Sequence, residues 1–429
     1  MAVSKDTLNP ELSGPRRLLP YRWELIVLLW CAYFFNQADR QIYNNLLPLI
    51  EQDLGLTKTQ LGLVASVFTF VYGVMVPLGG YAGDVLRRKW VIITALLVWS
   101  TATLLTGLST GLLALIVFRG AATGGGEAFY YPPANSLIGQ FHHQTRALAM
   151  AIHQTSLYVG IIASFLAGYV GEAFGWRNAF YLFGGFGILV AIVMLFRVED
   201  TPQETAGTEK DGPGATRIPV GLVLREIFRK PTVLFLCVAF ASQVFVNVAY
   251  LTWMPTFLSE KYGLSVTAAS FLALFCHHAA AFVGVVGGGR LSDRLARSRR
   301  NARMQFEYIG LLLGAPFIVL MGRADNLYVC LAALAGFGLF RGVYDSNLFA
   351  APFDLVAPRF RSSLVGVMLS FAFIVGASAP VLLGWGQGYL GMSNAIALLG
   401  AVYVIGGVSV LVALYATFAR DYHVEPTTE

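Results

Sequence analysis

Six ionisable residues sit inside long apolar stretches of this 429-residue sequence: Asp39, Arg40, Arg119, Glu127, Arg341 and Asp345. Their chemistry depends on being shielded from water. A fixed guanidinium presents a fork of N–H donors that matches a carboxylate, so it can hold an anion that has shed its hydration. A shielded carboxyl can take up and release a proton where an exposed one stays ionised. Asp39 and Arg40 are neighbours in NQADRQIYNN. On a helix they point about 100° apart, so each needs a partner on another element. Glu127 lies in TGGGEAFYYPP. Its glycines permit close backbone approach, Pro132 and Pro133 bend the chain beyond it, and Tyr130 and Tyr131 follow about one turn later. Arg341 and Asp345 are four apart, on one helical face, where they can neutralise each other.

Weaker polar patterns accompany these charges. Gln243, Asn247 and Tyr250 recur at three- to four-residue spacing and predict a polar stripe facing a cavity, with Trp253 as an apolar wall. Tyr344 and Asn347 follow Arg341 as candidate hydrogen-bonders to ligand hydroxyls, and Tyr43 follows Arg40. His153 and Gln154, with Tyr158 beyond them, form another candidate cavity face. His277 and His278 diverge on a helix, which makes a poor metal site and predicts packed, hydrogen-bonded rings. His142 and His143 read as solvated. Cys31, Cys237, Cys276 and Cys330 lie in apolar runs without metal-ligand spacing and read as small buried hydrophobes.

The elements that must position these groups follow from composition. Charged residues make up 13% and hydrophobic residues 56%, with a mean hydropathy of +0.64. A typical globular domain has about 25% charged residues, so a soluble enzyme, a nucleic-acid binder and a secreted disulfide scaffold are excluded. About 20 apolar residues cross a bilayer as a helix. Twelve segments qualify, near 25–48, 61–83, 90–109, 112–138, 147–173, 178–197, 232–258, 268–289, 304–322, 327–351, 362–388 and 393–418. The predicted fold is therefore an all-α membrane protein. Its predicted parts are an N-tail 1–24, a six-helix bundle 25–198, a polar loop 199–231, a second six-helix bundle 232–419 and a C-tail 420–429. The first 24 residues are polar and lack the pattern of a cleavable signal peptide.

With both tails on one side, 23 of the 30 Lys and Arg fall on that side, four on the other and three within spans. The positive-inside rule then places both termini in the cytoplasm and accounts for the net charge of +6. An internal repeat supports two related halves. Gly80-x-x-x-Asp84-x-x-x-Arg88 follows span two, and Gly289-x-x-x-Asp293-Arg294 follows span eight, 209 residues later.

This loop, its second copy and the twelve spans resemble the major facilitator superfamily across essentially the whole chain. The first copy departs at Val85, where an arginine is common, and at Arg87, where a glycine is common. The resemblance implies two pseudo-symmetric six-helix bundles working by alternating access. It also implies a conformational latch in which Gly80, Asp84 and Arg88, with Asp293 and Arg294, hold the outward-facing state. Asp39-Arg40 and Gly126-Glu127-Ala128, together with FGWRxAFY at 174–181 and LTWMPTFL at 251–258, resemble the anion:cation symporter branch, which carries organic anions such as sugar acids with protons. In that branch the span-four arginine precedes the glutamate by seven residues. Here Arg119 precedes Glu127 by eight, which on a regular helix turns it about 100° away.

The expected roles are Arg40 as anion clamp, Asp39 and Glu127 as proton carriers, and Tyr43, Tyr130, Tyr131, His153, Gln154, Gln243, Asn247, Tyr250, Trp253, Tyr344 and Asn347 as further substrate contacts. The bland alternative is that Asp39, Arg40 and Glu127 form a helix-stapling salt-bridge network. The expected function is proton-coupled symport of a small organic anion into the cytoplasm, with the lipid bilayer as surroundings. No cofactor, metal, nucleic acid or second subunit is expected, no Walker A pattern is present, and the expected place is the inner or plasma membrane. The Asp-Arg-Gln and Gly-Glu-Ala elements also occur in spinster-like lipid transporters, which makes an amphiphile the rival substrate. A receptor lacks a sizeable soluble domain here, and an enzyme lacks a nucleophile–base or metal constellation.

Overall fold

The computed structural model describes residues 20–142, 145–199, 229–356 and 361–422; the side chains of Asp84, Ala147 and residues 361–363 are outside the description. Most of the expected N-tail 1–24, of the loop 199–231 and of the C-tail 420–429 therefore lies outside the described residues. Long apolar runs fold as helices because a backbone surrounded by hydrocarbon must satisfy its own hydrogen bonds. Eleven helices are long and apolar enough to cross a membrane. They are α2 (Lys58–Gly83), α3 (Arg88–Thr106), α4 (Leu112–Phe141), α5 (Leu148–Phe174), α6 (Trp176–Arg197), α7 (Pro231–Tyr262), α8 (Val266–Ala296), α9 (Ala302–Arg323), α10 (Leu327–Phe353), α11 (Leu364–Leu390) and α12 (Met392–Asp421).

The twelfth, α1 (Tyr21–Asn45), has 25 residues and ample length. It is less apolar than the others because Asn36, Gln37, Asp39, Arg40, Gln41, Asn44 and Asn45 share its second half. All of these except Arg40 are buried against protein, which is how a membrane helix tolerates them. A short helix, Leu47–Leu54, leads through a left-handed Gly55 to α2. Thr57 and Gln60 start α2 with a reciprocal capping box.

The twelve helices form two pseudo-symmetric six-helix bundles. In the first, α1 packs on α5, α3 on α6, and α2 on α4. In the second, α7 packs on α11, α9 on α12, and α8 on α10. Each pairing in one half has its mate six helices later. The halves meet through α2 with α11, α5 with α8, and α1 with α7.

The hydrogen bonds and ion pairs that join the halves, among the described residues, are concentrated toward one end. Lys58 pairs with Glu260 at 2.5 Å, and Ser66 accepts from the Val381 amide at 3.2 Å. Glu172 of α5 accepts from the Val266 and Thr267 amides of α8 at 2.6 and 3.2 Å, and from the Thr267 hydroxyl. Those amides are the orphan donors of the α8 N-terminus; Ser265 caps the next, Ala268. One half thus supplies the helix cap of the other. At the opposite end the described contacts stay within each half: Glu24 with Arg197, Arg88 with Gln140, and Arg303 with Asp293 and Asp354.

Glu172→Ala removes that cap. A lost cap costs about 0.5–2 kcal/mol, so the population opened at this end is expected to rise about 2- to 30-fold. Pulsed EPR distances between labels at Gln52 and Asp325 check this; an unchanged distribution would show that the cap does not hold the halves together.

Candidate functional site

A cavity of about 330 Å³ lies between the halves, lined by α1, α2, α4 and α5 from one and α7, α8, α10 and α11 from the other. This is at the small end of the ~300–1,000 Å³ usual for ligand sites. Arg40 and Arg119 reach it from the first half, and Arg341 and Asp345 from the second.

Arg40 is anchored from several sides. Its Nε donates to Glu127 Oε2 at 2.9 Å. Its guanidinium lies 4.2 Å from the Tyr72 ring centroid and 5.7 Å from that of Phe68, a cation–π arrangement strengthened by desolvation. The Arg40 side chain keeps 20% of its exposure while that of Glu127 has none, so the cation faces the cavity and the acid stands behind it. Asp39 turns away toward α3, where Thr103 lies 3.5 Å from its Oδ2. The other oxygen of each acid, Asp39 Oδ1 and Glu127 Oε1, is buried without a hydrogen-bond partner among the described residues.

The local backbone explains this placement. Close packing holds α4 against α2 and α3: a Cβ on Gly124 would lie 2.8 Å from the Phe68 carbonyl, and one on Gly126 would lie 2.9 Å from the Trp99 amide. Around Arg119, just before this contact, the helix widens into a π-helical stretch, Ile116–Thr123. A π turn absorbs one extra residue. The eight-residue spacing therefore does not turn Arg119 away, contrary to the expectation for a regular helix. Arg119 Nη2 donates to the Arg40 carbonyl at 2.8 Å, and its guanidinium lies 4.3 Å from the Phe68 centroid.

The other expected site residues divide clearly. Gln154 and Asn247 line the cavity, and Asn247 Oδ1 is buried without a partner. Gln243 stands one step back, donating to Asp345 Oδ1 at 3.2 Å. The rest lie around the cavity, and most of them give their polar atom to another group. Tyr43 donates to the Leu61 carbonyl and Tyr130 to that of Leu29. Tyr131 donates to Gln154 Oε1. His153 stacks on Tyr33 with centroids 4.8 Å apart. Tyr250 donates to the Ala273 carbonyl and Trp253 to that of Pro380. Tyr344 is buried against the close-approach glycine Gly310, and Asn347 donates to Ser346. These residues shape the wall and do not touch the cavity.

Arg341 and Asp345 do pair, at 3.3 Å, and both also line the cavity. His142 is buried, bonded to Thr145 and to the Arg22 carbonyl, and so is not solvated. Of the expected latch, Gly80 has open space around it, Arg88 donates to Gln140 at 3.2 Å, and Asp293 lies 3.5 Å from Arg303. Arg294 is exposed, and the Asp84 side chain is outside the described residues.

Sequence reasoning passed over Gln37, Gln41 and Asn44, which line the cavity with Arg40. Their three- to four-residue spacing in an apolar span was a readable signal. Phe68 and Tyr72 carried none, since aromatics are common in membrane helices.

Two six-helix bundles around a central cavity of charged and amide side chains, joined mainly toward one end, define a membrane transporter. The chain belongs to the Major Facilitator Superfamily, whose profile matches residues 29–380. It is 28% identical over 404 residues to the hexuronate transporter of Bacillus subtilis (strain 168), covering 91% of this chain and 92% of that protein. It is 29% identical over 431 residues to the D-galactonate transporter of Escherichia coli O6:H1, covering 94% and 96%. A probable sulfoacetate transporter of Cupriavidus necator is 28% identical over 85% of this chain and 87% of its own. Among solved structures, a bacterial homolog of the human lysosomal transporter Spinster, inward-facing and unoccupied, superposes with a TM-score of 0.80 at 22% identity, covering 94% and 99% of the two chains. This last likeness is one of fold.

Gly126→Val tests the close approach that seats Glu127. Overpacking costs about 1–3 kcal/mol, so a lower thermal midpoint in detergent is expected; an unchanged midpoint would show that α3 and α4 have room to spare.

Proposed function

We propose that this protein is a proton-coupled symporter of a small hydroxylated carboxylate, carrying it into the cytoplasm across the plasma membrane. The observation that carries this reading is the cavity-facing Arg40 paired at 2.9 Å with a fully shielded Glu127. In the empty protein Glu127 is the counter-charge of Arg40. A proton on Glu127 neutralises that acid and leaves the guanidinium to a substrate carboxylate. Anion and proton then stabilise each other's binding, which is the linkage a symporter needs. Asp39, with one oxygen unpartnered behind the same cluster, serves as a second acceptor on the proton's route. Gln37, Gln41, Asn44, Gln154 and Asn247 offer amides to the hydroxyls of the substrate.

Orientation rests on the basic residues. The end opposite the Lys58–Glu260 and Glu172 contacts bears Arg87, Arg88, Lys89 and the cluster from Arg290 to Arg303, so the positive-inside rule makes it cytoplasmic. The described state is then closed toward the outside. Lys58–Glu260 and the Glu172 cap close the outer side, and rocking of the halves would exchange them for the latch loops. The named relatives that carry hexuronate and galactonate support the choice of a sugar acid.

Arg40→Ala is expected to weaken binding of a transported sugar acid about 10- to 100-fold, the effect of losing a charge-assisted hydrogen bond of about 1.5–3 kcal/mol. Calorimetric titration of purified protein checks this, and retained affinity would remove Arg40 from the clamp. Glu127→Gln is expected to keep substrate exchange between proteoliposome compartments while losing uphill accumulation driven by an acidic exterior. Accumulation that still followed the pH gradient would exclude Glu127 as the proton carrier.

A further inference from the structure

The wall contributed by the C-terminal half carries its own cation. Arg341 Nη1 lies 2.8 Å from His277 Nε2. A guanidinium only donates, so Nε2 accepts and the ring is neutral, its proton assigned to Nδ1. His277 is fully buried, with ring centroids 4.6 Å from Tyr250 and 4.8 Å from Phe337, and its Nδ1 has no partner among the described residues. It acts as a strut that holds Arg341 toward the cavity. On its other flank Arg341 Nε lies 3.3 Å from Asp345 Oδ2, yet Nε makes no aligned hydrogen bond. The contact is Coulombic only. Nη2 is neither occluded nor hydrogen-bonded among the described residues.

Charge balance gives this arrangement a consequence. Arg40, Arg119 and Arg341 stand against Asp39, Glu127 and Asp345, two of each in the first half and one of each in the second. With all six ionised the site is neutral and offers no net attraction to an anion. Each carboxyl that takes a proton leaves one guanidinium for one anionic group, and an unmatched charge inside a membrane protein is costly. The proposed function uses one such exchange, at Arg40. The second half is built for another.

We propose that the transported anion is a dianion with an anionic group at each end, one held by Arg40 and the other by Arg341, and that Asp345 takes up the proton that accompanies the second group. On loading, Asp345 gains one proton and becomes neutral, and the second carboxylate of the substrate takes its place as counter-charge to Arg341. The amides of Gln41, Asn44, Gln154 and Asn247 lie in the same cavity, available to hydroxyls along the chain. The groups facing Asp345 from neighbouring helices are Gln243 of α7, Tyr158 of α5, Tyr403 of α12, and His277 and His278 of α8 through Arg341; Glu307 of α9 lies behind Tyr344. None of them is a second cation competing for the carboxylate. This inference rests on the anion-clamp reading of Arg40 and adds the valence of the substrate.

The probes are galactarate, with a carboxylate at both ends, and galactonate, the same chain with one. Binding is titrated on the full chain in nanodiscs. The native protein is expected to bind galactarate at least about 10-fold more tightly. Arg341→Gln is expected to lower galactarate affinity at least about 10-fold more than galactonate affinity, which removes the preference. Asp345→Asn, which resembles the protonated acid, is expected to keep galactarate affinity and to remove one proton from the uptake counted per galactarate. If Arg341→Gln does not fold, the double change Arg341→Gln and Asp345→Asn, which removes the pair as a neutral unit, carries the same expectation for the two probes. An equal loss of both probes in Arg341→Gln, an unchanged ratio, or a native preference for galactonate would overturn the proposal. Failure of the Arg40 reading is distinct: Arg40→Ala would then spare both probes.

Discussion

The first half is arranged around one ion pair, Arg40 with Glu127, whose acid is fully shielded and whose cation keeps a fifth of its exposure. Two charges taken out of water lose hydration that their attraction alone does not readily restore. The surroundings are arranged around that cost. Tyr72 and Phe68 cover the guanidinium faces, the Arg40 carbonyl accepts from Arg119, and Gly124 and Gly126 let α4 come close enough to α2 and α3 for the acid to sit where it does. Even so, Arg40 Nη2, Glu127 Oε1, Asp39 Oδ1 and two nitrogens of Arg119 remain buried without partners among the described residues.

The second half repeats the frame but not the site. Its helices pair as those of the first half do, and α8 and α10 approach closely at Gly284, Gly338 and Gly342, as α2 and α4 do at Gly124. Its charges, however, are an arginine and an aspartate four apart on one helix, with a histidine strut. A pair on a single helix does not cross-link elements, so it can change partner without moving the scaffold. The pair of the first half spans α1 and α4, so altering it changes what holds those helices together. The two halves meet the cavity differently: one cation pairs with an acid on another helix, and the other pairs with an acid on its own helix while a histidine of α8 braces it.

Much of this was readable in the sequence because the bilayer makes sequence unusually informative. Hydrocarbon forces helices, so twelve apolar segments define the elements, and the scarcity of internal charge makes Asp39, Arg40, Glu127, Arg341 and Asp345 conspicuous. The paired Asp84 and Asp293 loops showed the repeat. What failed was direction. Tyr43, Tyr130, Tyr250 and Trp253 have the right type on the right helices, yet each gives its proton to a backbone carbonyl in the wall. Periodicity specifies a face relative to its own helix axis; it does not say which neighbour that face meets.

By itself, then, the sequence determined the membrane environment, the number of elements, the two-fold plan and the short list of charges, because each follows from the free energy of placing a residue type in hydrocarbon or water. Only the tertiary structure decided which of those charges share a cavity. It showed that Arg119 returns to the site through a π-helical widening at Ile116–Thr123, that Glu172 of one half caps α8 of the other, and that Arg341 faces the same space as Arg40. These are facts of register and packing between segments distant in the chain. They depend on contacts whose strength is set by geometry at the ångström scale, which residue type and spacing do not encode.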